Sequence, residues 1–283
     1  MNSLKSIFVT TYMMGAVVIA VVAGRSWWNG GDAVSWVGVL LVTVPFLLLL
    51  GKIGAFKNTA RTSAHFPILT ALATAGVLLA GWGYSQGGSV NAPVMAVAAW
   101  IGFVVYVYWY SSFGHRSSES LNVGQNLPAF DLMNVAGETI SSSSLLDKPT
   151  VWIFYRGNWC PLCMAQIKEL VGEYQEIQEL GVRVALISPQ PHEFTKDLAK
   201  KFDVAFDFLT DEGNRSARTL GIEHVNGLPM GIQMLGYDSE AVLPTVVITN
   251  TEGKILWAHQ TDNYRVRPEP AVYLQVLRES GLA

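Results

Sequence analysis

Cysteine is nearly missing from this 283-residue chain: Cys160 and Cys163 are the only two. That scarcity argues against a structural metal site, because tetrahedral zinc takes four ligands and His192, His224 and His259 are scattered without ligand spacing. Acidic residues are equally scarce at the start. Up to Ser118 there is one, Asp32, against six basic residues, whereas the remainder holds twenty-one acids and thirteen bases. No basic patch with interleaved aromatics occurs, so nucleic acid is not an expected partner.

What fills the first part is apolar. Four charge-free runs of 18 to 20 residues, 7–24, 34–51, 66–84 and 92–111, are each long enough to cross a bilayer as a helix. They lack the polar faces that buried soluble helices would carry. Arg25-Ser26-Trp27-Trp28 follows the first run where a cleavable signal would place small residues. Trp27, Trp28, Trp82 and Tyr84 at one set of ends, and Tyr106, Tyr108, Trp109 and Tyr110 at another, read as interfacial belts. Lys5, Lys52, Lys57, Arg61 and Arg116 would share one side, with Arg25 on the other. The positive-inside rule then makes both termini cytoplasmic, in a multi-pass protein of bacterial inner-membrane type. With no ionisable residue and no cysteine inside the runs, neither a proton path nor a disulfide relay is expected there. The lipid bilayer is the partner and anchoring the expected role. Residues 1–116 thus form an expected all-α, four-helix transmembrane domain, and 117–283 a soluble one.

The soluble part is organised around Tyr155-Arg156-Gly157-Asn158-Trp159-Cys160-Pro161-Leu162-Cys163. A buried-strand run, Thr150–Phe154, precedes it; a helical pattern with Ile167, Leu170, Val171, Tyr174 and Ile177 follows. Cys160 therefore falls at a strand-to-helix junction, with Pro161 at the first helical position. Free N–H groups and the helix dipole there favour a thiolate, and Cys163 faces Cys160 one turn on. Cys160 is expected to be the more exposed, lower-pKa thiol. Arg156 is the obvious nearby charge, able to favour a thiolate or hold a hydroperoxide, or else to pair with a surface acid.

Further strands are expected as a hairpin around Asn134–Gly137, at 182–188, 205–209, 245–249 and 254–259, with helices at 192–202, 212–220 and 268–280. This alternation implies a mostly parallel sheet covered by helices and ended by an antiparallel hairpin. Residues 221–241 read as a long loop able to roof the dithiol, or alternatively as a helical insert.

Trp159-Cys160-x-x-Cys163 after a buried strand, with Leu243-Pro244-Thr245 opening a later one, resembles the thioredoxin fold. More narrowly, Phe154-Tyr155-Arg156-Gly157-x-Trp159-Cys160-Pro161-x-Cys163 and Asp262–Pro270 resemble the peroxiredoxin-like redoxins of the alkyl hydroperoxide reductase/thiol-specific antioxidant (AhpC/TSA) superfamily, over roughly residues 123–280. The resemblance implies an α/β thioredoxin-like domain and a cis-Pro244 beside the dithiol, with Thr245 following. It departs at Gly157, where peroxiredoxins carry Thr or Ser, and at Phe154, where thioredoxins carry a buried Asp. The implied chemistry is attack by Cys160, resolved by Cys163, on a peroxide or a protein disulfide. No cofactor is expected; an external thiol reductant such as a thioredoxin is. A non-enzymatic, redox-gated binding module is the third reading.

Overall fold

The computed structural model describes residues 2–238 and 240–281. The chain divides into two compact units. One comprises Leu4–Lys57 and Thr62–Ser112; the other is built on the chain from Phe113 onward.

In the first unit the apolar runs form helices α1 (Asn2–Trp28), α2 (Ala33–Phe56), α3 (Pro67–Ser85) and α4 (Asn91–Val105), the last continued by a π-turn, Tyr106–Tyr110. All four are long and apolar enough to cross a membrane. Leu48, Ile68, Leu78 and Val94 point outward, while inside the bundle small residues bring backbones together. A Cβ on Gly38 would lie 2.6 Å from the Gly76 carbonyl oxygen and the Ala80 nitrogen, the close approach that small residues permit in apolar helix pairs. Phe46 packs edge-on against Phe103 and Tyr106, with ring centroids 5.3 and 4.9 Å away.

The second unit contains β1 (Asp131–Met133), β2 (Thr139–Ser141), β3 (Thr150–Phe154), α5 (Pro161–Gly172), α6 (Tyr174–Glu179), β4 (Arg183–Ser188), α7 (His192–Phe202) and β5 (Asp207–Thr210). It continues with α8 (Arg215–Thr219), β6 (Glu223–His224), β7 (Ala241–Val242), β8 (Thr245–Thr249), β9 (Ile255–Gln260) and α9 (Pro270–Glu279). Seven strands form one sheet in the order β2-β1-β5-β4-β3-β8-β9. Its core is the thioredoxin-like arrangement: β3, β4 and β5 run parallel, and β8 lies antiparallel beside β3. The sheet is more mixed than the alternation of elements suggests. Only the β3–β4 and β4–β5 pairs are parallel, because the β1–β2 hairpin adds antiparallel to β5 and β9 folds back on β8.

Strand β3 lies inside the sheet between β4 and β8, and all five of its residues are buried, as expected for a β-branched and aromatic run with neighbours on both sides. Its Trp152 donates from Nε1 to Thr249 Oγ1 at 3.0 Å and packs edge-on against Phe130. This anchoring matters because β3 delivers the chain directly to the dithiol. The expected single long helix after it is broken: α5 stops at Gly172 and α6 restarts at Tyr174. Glycine is the poorest helix former after proline, which accounts for the break.

Residues 221–241 are not a helical insert. Their described residues form a loop with one 3₁₀ turn, Ile232–Leu235, whose ends are tied by the two-residue ladder of β6 and β7. Such a short ladder leaves no periodic signature in the sequence.

Candidate active site

Cys160 is the N-cap of α5. Its backbone is extended (φ −87°, ψ 108°), Pro161 opens the helix, and its Sγ accepts the Cys163 N–H at 3.3 Å. Proline suits that position because its missing N–H would have no intrahelical partner anyway. One turn on, the Cys163 Sγ lies 2.6 Å from the Cys160 Sγ, within hydrogen-bonding reach, and both thiols are free. Cys160 is 3% exposed and Cys163 fully buried, so the difference in access is in the expected direction but small.

The nearest positive charge is Arg267, one the local sequence does not single out. Its Nη2 donates to Cys163 Sγ at 3.4 Å and approaches Cys160 Sγ at 3.9 Å. Arg267 is held by a relay between helices. Its Nη1 donates to Gln166 Oε1 at 2.9 Å, and Gln166 Nε2 donates to the Tyr273 hydroxyl, also at 2.9 Å. Tyr273 Oη in turn donates to the Pro268 carbonyl at 3.3 Å. Gln166 belongs to α5 and Tyr273 to α9, so the site is assembled by the packing of the last helix. A sequence signal does exist. Gln166 is a polar residue on the buried face of α5, beside Ile167 and Leu170, and a buried amide needs partners.

Arg156 is buried as well, and it makes no salt bridge among the described residues. Its Nη2 donates to the Gly227 carbonyl at 2.5 Å, and the guanidinium lies 4.7 Å from the Trp159 ring centroid and 5.7 Å from that of Tyr264. Trp159 Nε1 closes the turn by donating to the Arg156 carbonyl at 3.1 Å. The 221–241 loop therefore reaches the site twice, through Gly227 and through Tyr237, whose hydroxyl donates to Asn158 Oδ1. On the opposite side of the turn, Gln190 accepts the Asn158 N–H at 2.8 Å and donates to the Tyr155 hydroxyl at 3.1 Å. Burial, followed by the nearby Cys163 charge, pushes Tyr155 far up, so it stays protonated.

The acidity of the pair differs from the expectation. Burial raises Cys163, but the hydrogen bond with Cys160 and the Arg267 charge, followed by the Arg156 backbone N–H, outweigh it and bring the thiol down to about 5. Cys160 is pushed up by burial, then by the hydrogen bond and charge of Cys163. The hydrogen bond between the sulfurs lowers one thiol and raises the other, and Arg267, nearer to Cys163, adds to the difference. Together the two sulfurs lose one proton readily and hold the other.

Pro244 and Thr245 sit where β8 starts, and Thr245 pairs with Phe154 at the end of β3. The expected cis bond is not present: no described residue has a cis peptide, and Leu243–Pro244 is trans. The segment is instead tied by Arg116, whose guanidinium donates to the Pro244 carbonyl at 3.2 Å and to Thr245 Oγ1 at 3.1 Å. Among the described residues no cluster of three or more His, Cys, Asp or Glu side chains could hold a metal ion.

A dithiol at the N-terminus of the helix that follows an interior strand of a thioredoxin-like sheet defines a thioredoxin-fold thiol protein. Residues 123–258 match the AhpC/TSA family. The chain is 33% identical over 112 residues to a chloroplastic peroxiredoxin Q from Populus jackii, covering 40% of this chain and 53% of that one. It is 32% identical over 99 residues to the corresponding protein of Sedum lineare, covering 35% and 53%. The chain thus spans about half the length of these curated relatives. Among solved structures, the peroxidoxin BcpB of Mycobacterium tuberculosis superposes with a TM-score of 0.47 at 20% identity, covering 56% of this chain and 97% of that one.

Proposed function

We propose that this protein is a membrane-tethered thiol peroxidase that reduces peroxides at the Cys160–Cys163 pair. The observation that carries the reading is the buried dithiol at a helix N-terminus, beside the Arg267 guanidinium. The peroxiredoxin-like character of residues 123–258 supports peroxide as the substrate rather than a protein disulfide. In the proposed cycle the proton passes between the sulfurs, leaving a Cys160 thiolate that accepts the Cys163 N–H. It attacks the distal peroxide oxygen, the O–O bond breaks, and the leaving oxygen takes up a proton to depart as an alcohol or water. Cys163 then displaces water from the sulfenic acid and closes the disulfide. An external dithiol of thioredoxin type would reduce it.

The rate of oxidation should follow the first ionisation of the pair. As pH falls through about 5, the thiolate is protonated and the rate with hydrogen peroxide should drop about tenfold per unit, whereas between about pH 6 and 8 it should stay flat. Stopped-flow oxidation of the full chain in detergent measures this. A rate still climbing steeply between those values would mean that an ordinary, unactivated thiol reacts.

The four apolar helices would anchor the domain, with the Lys5, Lys52, Lys57, Arg61 and Arg116 side, and hence the dithiol, in the cytoplasm. Both native thiols are too buried to report topology. Glu252 is exposed, and Glu252→Cys in a cysteine-free background should react with an impermeant maleimide only after cells are permeabilised. Labelling of intact cells would reverse the orientation.

A further inference from the structure

At neutral pH the reduced pair carries one negative charge, because Cys163 is brought down to about 5 while Cys160 is pushed up. Two buried guanidiniums adjoin it, Arg156 at 5% and Arg267 at 4% exposure. Neither makes a salt bridge with a carboxylate among the described residues. Their other partners are neutral, the Gly227 carbonyl and the Gln166 amide oxygen. The Nε of each has no hydrogen-bond partner among the described residues. A buried cation left without a counter-ion is strongly destabilising. In the reduced protein the thiolate supplies that counter-ion.

Oxidation removes it. One peroxide, one thiolate, one thiol and one proton become a disulfide, an alcohol and water, so the thiolate charge disappears while both guanidiniums remain. We propose that Arg267 poises this couple by pairing with the thiolate, which stabilises the dithiol against the disulfide and makes the Cys160–Cys163 disulfide readily reducible. Arg267 is favoured over Arg156 by distance: its Nη2 lies 3.4 and 3.9 Å from the two sulfurs, whereas the Arg156 guanidinium is turned to Gly227. In the return step a dithiol reductant attacks one sulfur and leaves as its own disulfide. It restores one thiol and one thiolate and releases one proton, and the counter-ion of Arg267 is regained. Use of the couple in a peroxide cycle rests on the reading above; the potential itself does not.

The test is a redox titration of the full chain in detergent against defined ratios of reduced and oxidised glutathione at neutral pH. With only two cysteines in the chain, an alkylation mass shift reports this couple alone. Arg267→Gln should move the equilibrium at least about tenfold towards the disulfide, about 30 mV for a two-electron couple. Arg267→Lys, which keeps the charge, should shift it less than about threefold. An unchanged equilibrium in Arg267→Gln, or an equal shift in Arg267→Lys, overturns the proposal. Should Arg267→Gln fail to fold, the wild type decides. Its disulfide form should melt below its dithiol form, the reverse of the usual effect of a cross-link; a higher-melting disulfide form overturns the tuning. Absence of peroxide turnover together with the expected shift in Arg267→Gln would remove the peroxidase reading and leave the tuning intact.

Discussion

Cys160→Ser is expected to abolish oxidation by hydrogen peroxide, lowering the rate by on the order of a thousandfold or more, because a serine hydroxyl offers no thiolate at neutral pH. The variant is informative because it leaves Cys163 beside the Arg267 Nη2, at 3.4 Å. If charge alone governed reactivity, Cys163 would still react. It is fully buried, however, while the Cys160 sulfur lies at the mouth of the helix and accepts the Cys163 N–H. The companion variant, Cys163→Ser, retains a hydroxyl that can donate to Cys160 Sγ in place of the thiol. It should be oxidised once, at close to the wild-type rate, and stop at a sulfenic acid trapped by dimedone on Cys160. Intact-mass spectrometry of both variants after peroxide settles the roles. A dimedone adduct on Cys163 in Cys160→Ser, formed as fast as in the wild type, would reverse the assignment.

Gly157→Thr carries the second large expected effect. The substitution installs the residue type that peroxiredoxins hold three positions before their reactive cysteine, yet it should damage this site. Gly157 has φ +136°, a region that a β-branched residue does not tolerate. A Cβ there would also lie 2.8 Å from Cδ1 and Nε1 of Trp159. The backbone strain costs about 1–3 kcal/mol. Displacing the indole breaks its bond to the Arg156 carbonyl and its stacking with the Arg156 guanidinium. That turn also supplies the Arg156 N–H that lowers Cys163. Stability should therefore fall by on the order of 2–4 kcal/mol in denaturant titration, and peroxide oxidation should slow at least about tenfold. Gly157→Ala, with the same φ requirement and a smaller side chain, should fall between. A threonine variant that reacts faster than the wild type would mean that this site binds peroxide through a hydroxyl at that position, and that the turn is more pliable than its geometry implies.

The glycine also explains why the motif sits between two chemistries. A thioredoxin-type acid at Phe154 and a peroxiredoxin-type hydroxyl at Gly157 are both missing. The space they would occupy is taken by the buried side chain of Phe154 and by the Trp159 ring. The charge that such residues would help to manage is supplied from elsewhere in the chain, by Arg267.

How far the sequence reaches follows from the range of each interaction. The strand–turn–helix around Cys160 was legible because its causes are local: an apolar β-branched run, proline at the first helical position, and two thiols one turn apart. The four apolar helices were legible because length and lack of charge alone define them. The helix break at Gly172 was local too, but one glycine in a strong apolar stripe is outweighed when periodicity is read. By contrast, Arg267 lies 104 positions from Cys163 and 107 from Cys160. Nothing near it marks it as a partner of either; only the docking of α9 through Tyr273 and Gln166 brings it to the sulfurs. The acidity order of the thiols depends on their mutual hydrogen bond, on that contact and on burial, none of which helix position alone reveals. Likewise the trans Leu243–Pro244 bond and the tie to Arg116 depend on residues distant in the chain. Sequence by itself determined where the thiols are and that they face one another. Tertiary structure decided which charge meets them, because electrostatics in a buried site is set by whatever the fold packs there, at any separation along the chain.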